Sequence, residues 1–203
     1  MPYRRTPRIQ ARMDAQRAAI LEAAVELLAE HGYVGCSMSG VAARAGIATG
    51  GVYRHFSGKA ELVAELFRVV VSREVAAVEQ AAAGSGDLTS RIVAVVETFA
   101  GRALKAPRLA YALLAEPVDA VVEQERLVFR RKFAEVFTKW VEEGMRAGVL
   151  PRQDAALTAA ALVGAVAEVL VGPLAAGSAD PDTIPSLVTF TVRALGGNDA
   201  RNA

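Results

Sequence analysis

The chain has 203 residues, 53% of them hydrophobic and 22% charged, which describes a packed globular protein of one or two domains and excludes a disordered one. The formal net charge of +1 names no partner, yet residues 1–59 carry eight Lys/Arg against four Asp/Glu, while residues 60–203 carry fifteen against eighteen. The lone cysteine, Cys36, excludes an intrachain disulfide framework and a cysteine metal cluster, and is taken as a small packing residue.

Arg4, Arg5, Arg8 and Arg12 interrupt every apolar run near the start, so no secretory leader is expected and the protein is expected to be cytoplasmic. Residues 1–13 are expected to form a basic flexible arm. It has two readings, a phosphate- or minor-groove-seeking arm and a solvated chain end. A first domain is expected over residues 14–59. Its first helix shows Ile20, Ala24, Leu27 and Leu28 as a core stripe. Ser37 is a suitable N-cap for a second helix with Val41, Ala42 and Ala45 on its apolar face. Gly46 marks the reversal, where positive φ is needed. Thr49 opens a third helix, with Val52, Tyr53 and Phe56 at helical spacing beneath exposed Arg54 and His55. Helix, glycine turn, helix is the pattern of a helix-turn-helix, whose second helix enters the DNA major groove.

The remainder, residues 60–203, divides into helices and never into alternating strands. A fourth helix starts near Gly58, with Leu62, Val63, Leu66, Phe67 and Val70 as its stripe. Gly84-Ser85-Gly86-Asp87 is a loop, and Asp87 is the next N-cap. Ile92, Val93, Val96, Phe99, Ala100 and Ala103 define a helix that ends before Pro107. A short segment follows from Arg108 to Ala115, then a long helix from Val118 to about Arg146 with Val122, Leu127, Phe129, Phe133, Phe137, Trp140 and Val141 on its apolar surfaces. The nearly uncharged segment Ala155–Val171, ended by Gly172-Pro173, has three readings: a membrane span, a helix buried in one subunit, and a subunit interface. Glu168 and the early stop argue against the span. Ala161, Gly164, Ala165 and Ala167 favour an interface, and a final helix near Asp182–Leu195 can join it.

Within residues 32–62 the chain carries Gly32-Tyr33, Ala42-x-x-Ala45-Gly46-Ile47, Gly50-x-Val52-Tyr53-x-His55-Phe56 and Lys59-x-x-Leu62. With these motifs it resembles the N-terminal domain of the TetR family of transcriptional regulators. The resemblance implies an all-α fold, a three-helix DNA-binding domain followed by a larger helical domain for ligand binding and dimerisation. It also implies a homodimer through the helices near 155–171 and 182–195, reading double-stranded DNA at a palindromic operator. By the same resemblance Tyr53 and His55 face phosphates, Lys59 supplies a point charge, and Thr49 and Gly50 approach the DNA. Arg54 reaches a phosphate or stays in solvent. Ser39 and Arg44 contact the backbone or are simply exposed. Thr49 and Gly51 offer little base hydrogen bonding, so thymine-methyl contact or DNA shape is expected to contribute. The chain departs from the family pattern at Ala48, where a hydroxyl residue is common, and at Gly40, which costs about 1 kcal/mol inside a helix.

No nucleophile elbow, phosphate loop, dinucleotide fingerprint or histidine-rich metal spacing occurs, so neither an enzyme nor a bound cofactor or metal is expected. By resemblance, the body is expected to bind a small apolar effector that releases a repressor from its operator. Phe67, Phe99, Tyr111, Leu114, Phe133, Phe137 and Trp140 are the candidate lining, against the alternative that they are plain core. The competing function is a ligand-sensing helical dimer that acts mainly through a protein partner.

Overall fold

The structure, a computed structural model, describes residues 7–196, and every regular element within them is an α-helix. In chain order these are α1 (Pro7–Gly35), α2 (Met38–Arg44), α3 (Thr49–Tyr53), α4 (Lys59–Ala82), α5 (Leu88–Lys105), α6 (Pro107–Leu114), α7 (Ala120–Arg146), α8 (Ala155–Ala176) and α9 (Thr183–Ala194). The expected all-α class is what the chain adopts.

Arg4 and Arg5 lie outside the described residues. Arg8 and Arg12 do not belong to a flexible arm, because α1 is already helical from Pro7. Proline suits that position, since its missing N–H would have no helical partner there. The first fully buried residue of α1 is Ile20, so its opening turns stand clear of the core. At the other end α1 kinks at Gly32 (φ 67°, ψ −172°), a backbone conformation that glycine takes without strain.

The expected stripe of α1 is buried, with Ile20, Ala24, Leu27 and Leu28 all inside. It packs with α2 and with the start of α4, where Leu62, Val63 and Leu66 close the head from below. Farther along, Val70, Val71 and Val78 of α4 are buried on the side of α5 and α7. One helix therefore serves both parts, and the apolar core runs without a break from Ile20 to Leu195. Each fully buried side chain of this size contributes about 1.5–3 kcal/mol.

Caps set the body helices. Asp87 accepts the Ser90 N–H at 2.8 Å, which holds its carboxyl below the ordinary range. Asp154 accepts the Leu157 N–H at 3.0 Å and starts α8. On α7, Val122, Phe129, Phe133, Phe137, Trp140 and Val141 are buried as expected, but Leu127 is 49% exposed. Five residues past Val122 and two before Phe129, it lies off their stripe at about 100° per residue. The charged Arg126 sits on that stripe instead, 7% exposed.

Pro173 does not end α8. The helix runs on to Ala176 and stops at Gly177 (φ 69°), whose N–H and that of Ser178 donate to the carbonyls of Leu174 and Pro173. Proline forfeits only its own N–H, and the carbonyl left unpaired belongs to the exposed Val169. The buried face of α8 is Ala159, Leu162, Val166, Ala167, Leu170 and Leu174, and it packs chiefly on α7. Among the described residues α8 is the one helix long and apolar enough to cross a membrane, yet this stripe is committed to the protein's own core.

Candidate nucleic-acid interface and effector cavity

The turn between α2 and α3 is built as the spacing predicts. Ser37 Oγ accepts the Gly40 N–H at 3.1 Å, and Gly46 (φ 66°) makes the reversal. Gly40 has a packing reason: a Cβ there would lie 3.0 Å from Ser37 Oγ and 3.4 Å from Leu27 Cδ1. α2 can lie this close to α1 because the side chain is missing. Ala48 is the N-cap of α3 and makes no side-chain cap bond, so Thr49 does not take over the cap by a shifted boundary.

Val52 and Phe56 are buried and fix the underside of α3. That leaves Thr49, Gly50, Tyr53 and Arg54 exposed, with Tyr53 at 53%. His55 is half-buried, and its Nε2 lies 3.1 Å from Gln16 Oε1. Arg17 places its guanidinium 5.1 Å from the Phe56 ring centroid and pairs with Glu65 at 3.0 Å. The opening half of α1 thus braces α3, a role for Gln16 and Arg17 absent from the motif residues.

Ser39 is exposed, 3.3 Å from Ser37 Oγ. Arg44 turns back to α1 and pairs with Glu26 at 3.1 Å and Glu30 at 2.5 Å. Its charge is already answered, so it ties α2 to α1. Lys59, the first residue of α4, has its Nζ 4.1 Å from the Tyr33 ring centroid and donates to Val34 O at 3.4 Å. Tyr33 is held from the body: its N–H donates to Glu116 Oε2 at 2.8 Å, and its hydroxyl donates to Asp119.

Gly50 and Gly51 differ. A Cβ on Gly51 would meet Ile47 Cδ1 at 3.3 Å, whereas one on Gly50 would meet nothing within 4 Å. Gly50→Ala is therefore expected to leave thermal stability equal or higher, since alanine is favoured over glycine in a helix by up to about 1 kcal/mol. Duplex binding is expected to weaken if Gly50 is where a DNA backbone comes close. Melting and fluorescence anisotropy on one preparation check both halves.

In the body, an apolar cavity has two lobes that share Phe99, Leu114 and Phe129. The first lies among α4, α5 and α6, with Val70, Val71, Leu109 and Leu113 in its wall and the Glu74–Arg102 pair (Nε–Oε2 2.6 Å) beside it. The second lies among α5, α7 and α8, walled by Val96, Phe133, Phe137, Val163 and Val166, with Arg126 and Arg130 as its charged members. The lobes hold about 80 and 30 Å³, well below the roughly 300–1,000 Å³ of ligand pockets. Neither lobe as it stands holds a ligand of that size.

Of the candidate lining, Phe99, Leu114, Phe133 and Phe137 come together here. The other three do not. Phe67 is core, edge-on to Phe129 at 6.2 Å. Tyr111 lines a separate, polar cleft with His31, Arg108 and Glu116, and Trp140 lies at a different groove with Arg91 and Lys139. Helical spacing reported that these residues are apolar-facing but not which neighbours they face. Arg126 was the missed residue, and its signal was a charge in an apolar register. It donates to the carbonyls of Leu113, Ala112 and Glu116 and pairs with Glu123. Burial lowers its proton affinity, and Glu123 opposes that. Among the described residues, no three His, Cys, Asp or Glu side chains are grouped to hold a metal.

Residues 20–66 match the family described as bacterial regulatory proteins, tetR family. The transcriptional activator FasR of Mycolicibacterium smegmatis is 36% identical over 86 residues, 42% of this chain and 39% of that protein. The transcriptional repressor KstR2 of Rhodococcus jostii is 27% identical over 139 residues, 66% of this chain and 68% of that protein. Among solved structures, the transcriptional regulator FadR of Bacillus subtilis, in complex with stearoyl-CoA, superposes with a TM-score of 0.76 at 19% identity, covering 89% of this chain and 98% of that one. These relatives are regulators of transcription rather than enzymes. The matched segment runs from the first buried residue of α1 through the turn and α3 into α4, so it is the head of this chain that matches the tetR family of bacterial regulatory proteins.

Proposed function

We propose that the protein is a homodimeric, cytoplasmic transcriptional repressor that leaves a palindromic operator when a small, largely apolar ligand opens the body cavity. The observation that carries this reading is the exposed edge of Thr49, Gly50, Tyr53 and Arg54 on a head whose core is continuous with a small apolar cavity. Tyr53 at the end of α3 and Lys59 at the start of α4 contact phosphates, Gly50 lets the DNA backbone come close, and His55, braced by Gln16, completes the edge. Ser39 and Arg54 flank it; Arg44 contributes by holding α2 against α1. Thr49 is the base-facing side chain, through a thymine methyl.

The ligand is a molecule with a long apolar portion. The lining supports this, being aliphatic and aromatic with two arginines, and so does the stearoyl-CoA bound by the FadR relative. Ligand and DNA compete only if the ligand prefers the state that cannot bind DNA.

The test is a gel shift with the DNA upstream of the protein's own coding region, with and without stearoyl-CoA as a probe. A shifted band that stearoyl-CoA abolishes supports both halves. A shift indifferent to every acyl probe sinks the ligand class, and the lack of any shift against this DNA and a pool of genomic fragments sinks the DNA-binding function.

A further inference from the structure

Besides α4, which runs from the head into the cavity wall, a chain of hydrogen bonds through Glu116 joins the cavity to the DNA edge. Arg126, buried in the cavity wall on α7, donates from Nη2 to the backbone carbonyl of Glu116 at 2.8 Å. The carboxylate of the same Glu116 accepts the Tyr33 N–H at 2.8 Å. Three residues on, Asp119 accepts the Tyr33 hydroxyl. The Tyr33 ring, 7% exposed, is the platform under Lys59 Nζ.

Three features mark this as more than packing. Gly32 is required for the approach, because a Cβ there would sit 2.9 Å from both Glu116 carboxylate oxygens. Burial and the neighbouring Asp119 carboxylate both push the Tyr33 pKa well up, so the hydroxyl keeps its proton and remains a donor. Lys59 directs one N–H to Val34 O and presents its charge to the ring, and its remaining donor capacity is open to an outside acceptor. A flexible side chain is thereby held in place before DNA arrives, and part of the ordering cost of binding is removed in advance.

We infer that Glu116 and Asp119, in the connection from α6 to α7, are positioning residues for DNA binding. Through Tyr33 they hold Lys59 toward the phosphates, and Arg126 makes that hold depend on the state of the cavity. The inference rests on the DNA-binding reading above. The two small lobes meet at Leu114 of α6 and Phe129 of α7, so a ligand that widens them parts these helices. Arg126 is the tie between them, since it also donates to Leu113 O at 2.9 Å. Once the tie breaks, Glu116 shifts, Tyr33 loses its acceptor and Lys59 loses its platform, with no ligand near the head.

A chain of contacts becomes a coupling only when energies along it fail to add, so the test is a double-mutant cycle. The probe is a short fluorescein-labelled duplex of mixed sequence, whose binding reports phosphate contacts, titrated with the full chain across a salt series. Tyr33→Phe, Asp119→Ala and Arg126→Met are made alone and with Lys59→Gln. Each single change is expected to weaken binding about tenfold, the size of one charge-assisted hydrogen bond, and to lower the salt slope as Lys59→Gln does. In the Lys59→Gln background each is expected to add nothing. Additive losses, or an unchanged salt slope, overturn the inference. If Arg126→Met fails to fold, Tyr33→Phe decides, because it keeps the ring and removes only the hydroxyl bond to Asp119. A parent protein that binds no duplex brings down the DNA-binding reading and this inference together; a parent that binds beside variants that lose nothing brings down the inference alone.

Discussion

Changing Tyr53 and Lys59 together to alanine is expected to weaken duplex binding at least about a hundredfold, for any sequence, while the protein stays folded and keeps its oligomeric state. The two side chains approach the DNA edge from opposite ends of the α3–α4 turn, one from the last residue of α3 and the other from the first of α4. A hydrogen bond to a charged group contributes about 1.5–3 kcal/mol, and each protomer loses one from a tyrosine and one from a lysine. Lys59 alone releases counterions, so the slope of log affinity against log salt is expected to fall by about 0.9 per head. The cost to the fold is small. Tyr53 is 53% exposed, whereas Val52 and Phe56 beside it are buried. Removing Lys59 from the Tyr33 ring costs about 0.5–1 kcal/mol. Fluorescence anisotropy across a salt series, with a melting curve on each sample, measures all of this. Unaltered affinity in the double variant would show that these side chains do not face phosphates.

The head was legible in the sequence because its chemistry is local. Ser37, Gly46, Val52, Phe56 and Lys59 lie within 23 residues, and each is constrained by a cap, a turn or a helical register that spacing alone expresses. The structure puts four of them where that spacing requires, and Phe56 is buried as expected although α3 ends three residues before it, at Tyr53. What escaped the sequence is non-local. Glu116 and Asp119 reach Tyr33 across 83 and 86 residues, and no pattern near either end announces the contact. Arg44 reads as a cation at the edge of α2 until α1 is folded beside it, when Glu26 and Glu30 claim it. The ligand candidates split for the same reason. A helical stripe tells which side of α7 is apolar, but Phe133 and Phe137 reach the cavity while Trp140 lies one turn too far along. Pro173 shows the reverse error: a strong local signal to stop was overruled because Leu174 was still buried against the body and Gly177 offered a better end.

Gly164→Leu combined with Leu157→Glu is expected to convert a dimer to a monomer and, with it, to lower operator affinity by roughly 10²–10⁴, the gain that two linked heads have over one. The face of α8 opposite its buried stripe carries Leu157 (68% exposed), Ala161, Gly164, Glu168 and Gly172, and the neighbouring α9 exposes Phe190 (46%). So apolar a face, left open beside a packed core, calls for a covering surface, and its small residues let a second helix come close. We take a second copy of the chain as that cover, because a two-fold partner repeats the same small residues and places two heads over the halves of a palindrome. The substitutions separate this from damage to the protomer. A Cβ at Gly164 meets nothing within 4 Å in the protomer, and leucine is a far better helix former than glycine. Leu157 is the third residue of α8, where a glutamate is favoured by the helix dipole. Neither change should loosen the protomer, yet the first fills the space a partner helix needs and the second buries a charge against it. Sedimentation reads the oligomeric state directly. A variant that remains dimeric with full operator affinity would place the interface on another face, and a parent that is monomeric at micromolar concentration would remove the two-headed geometry altogether.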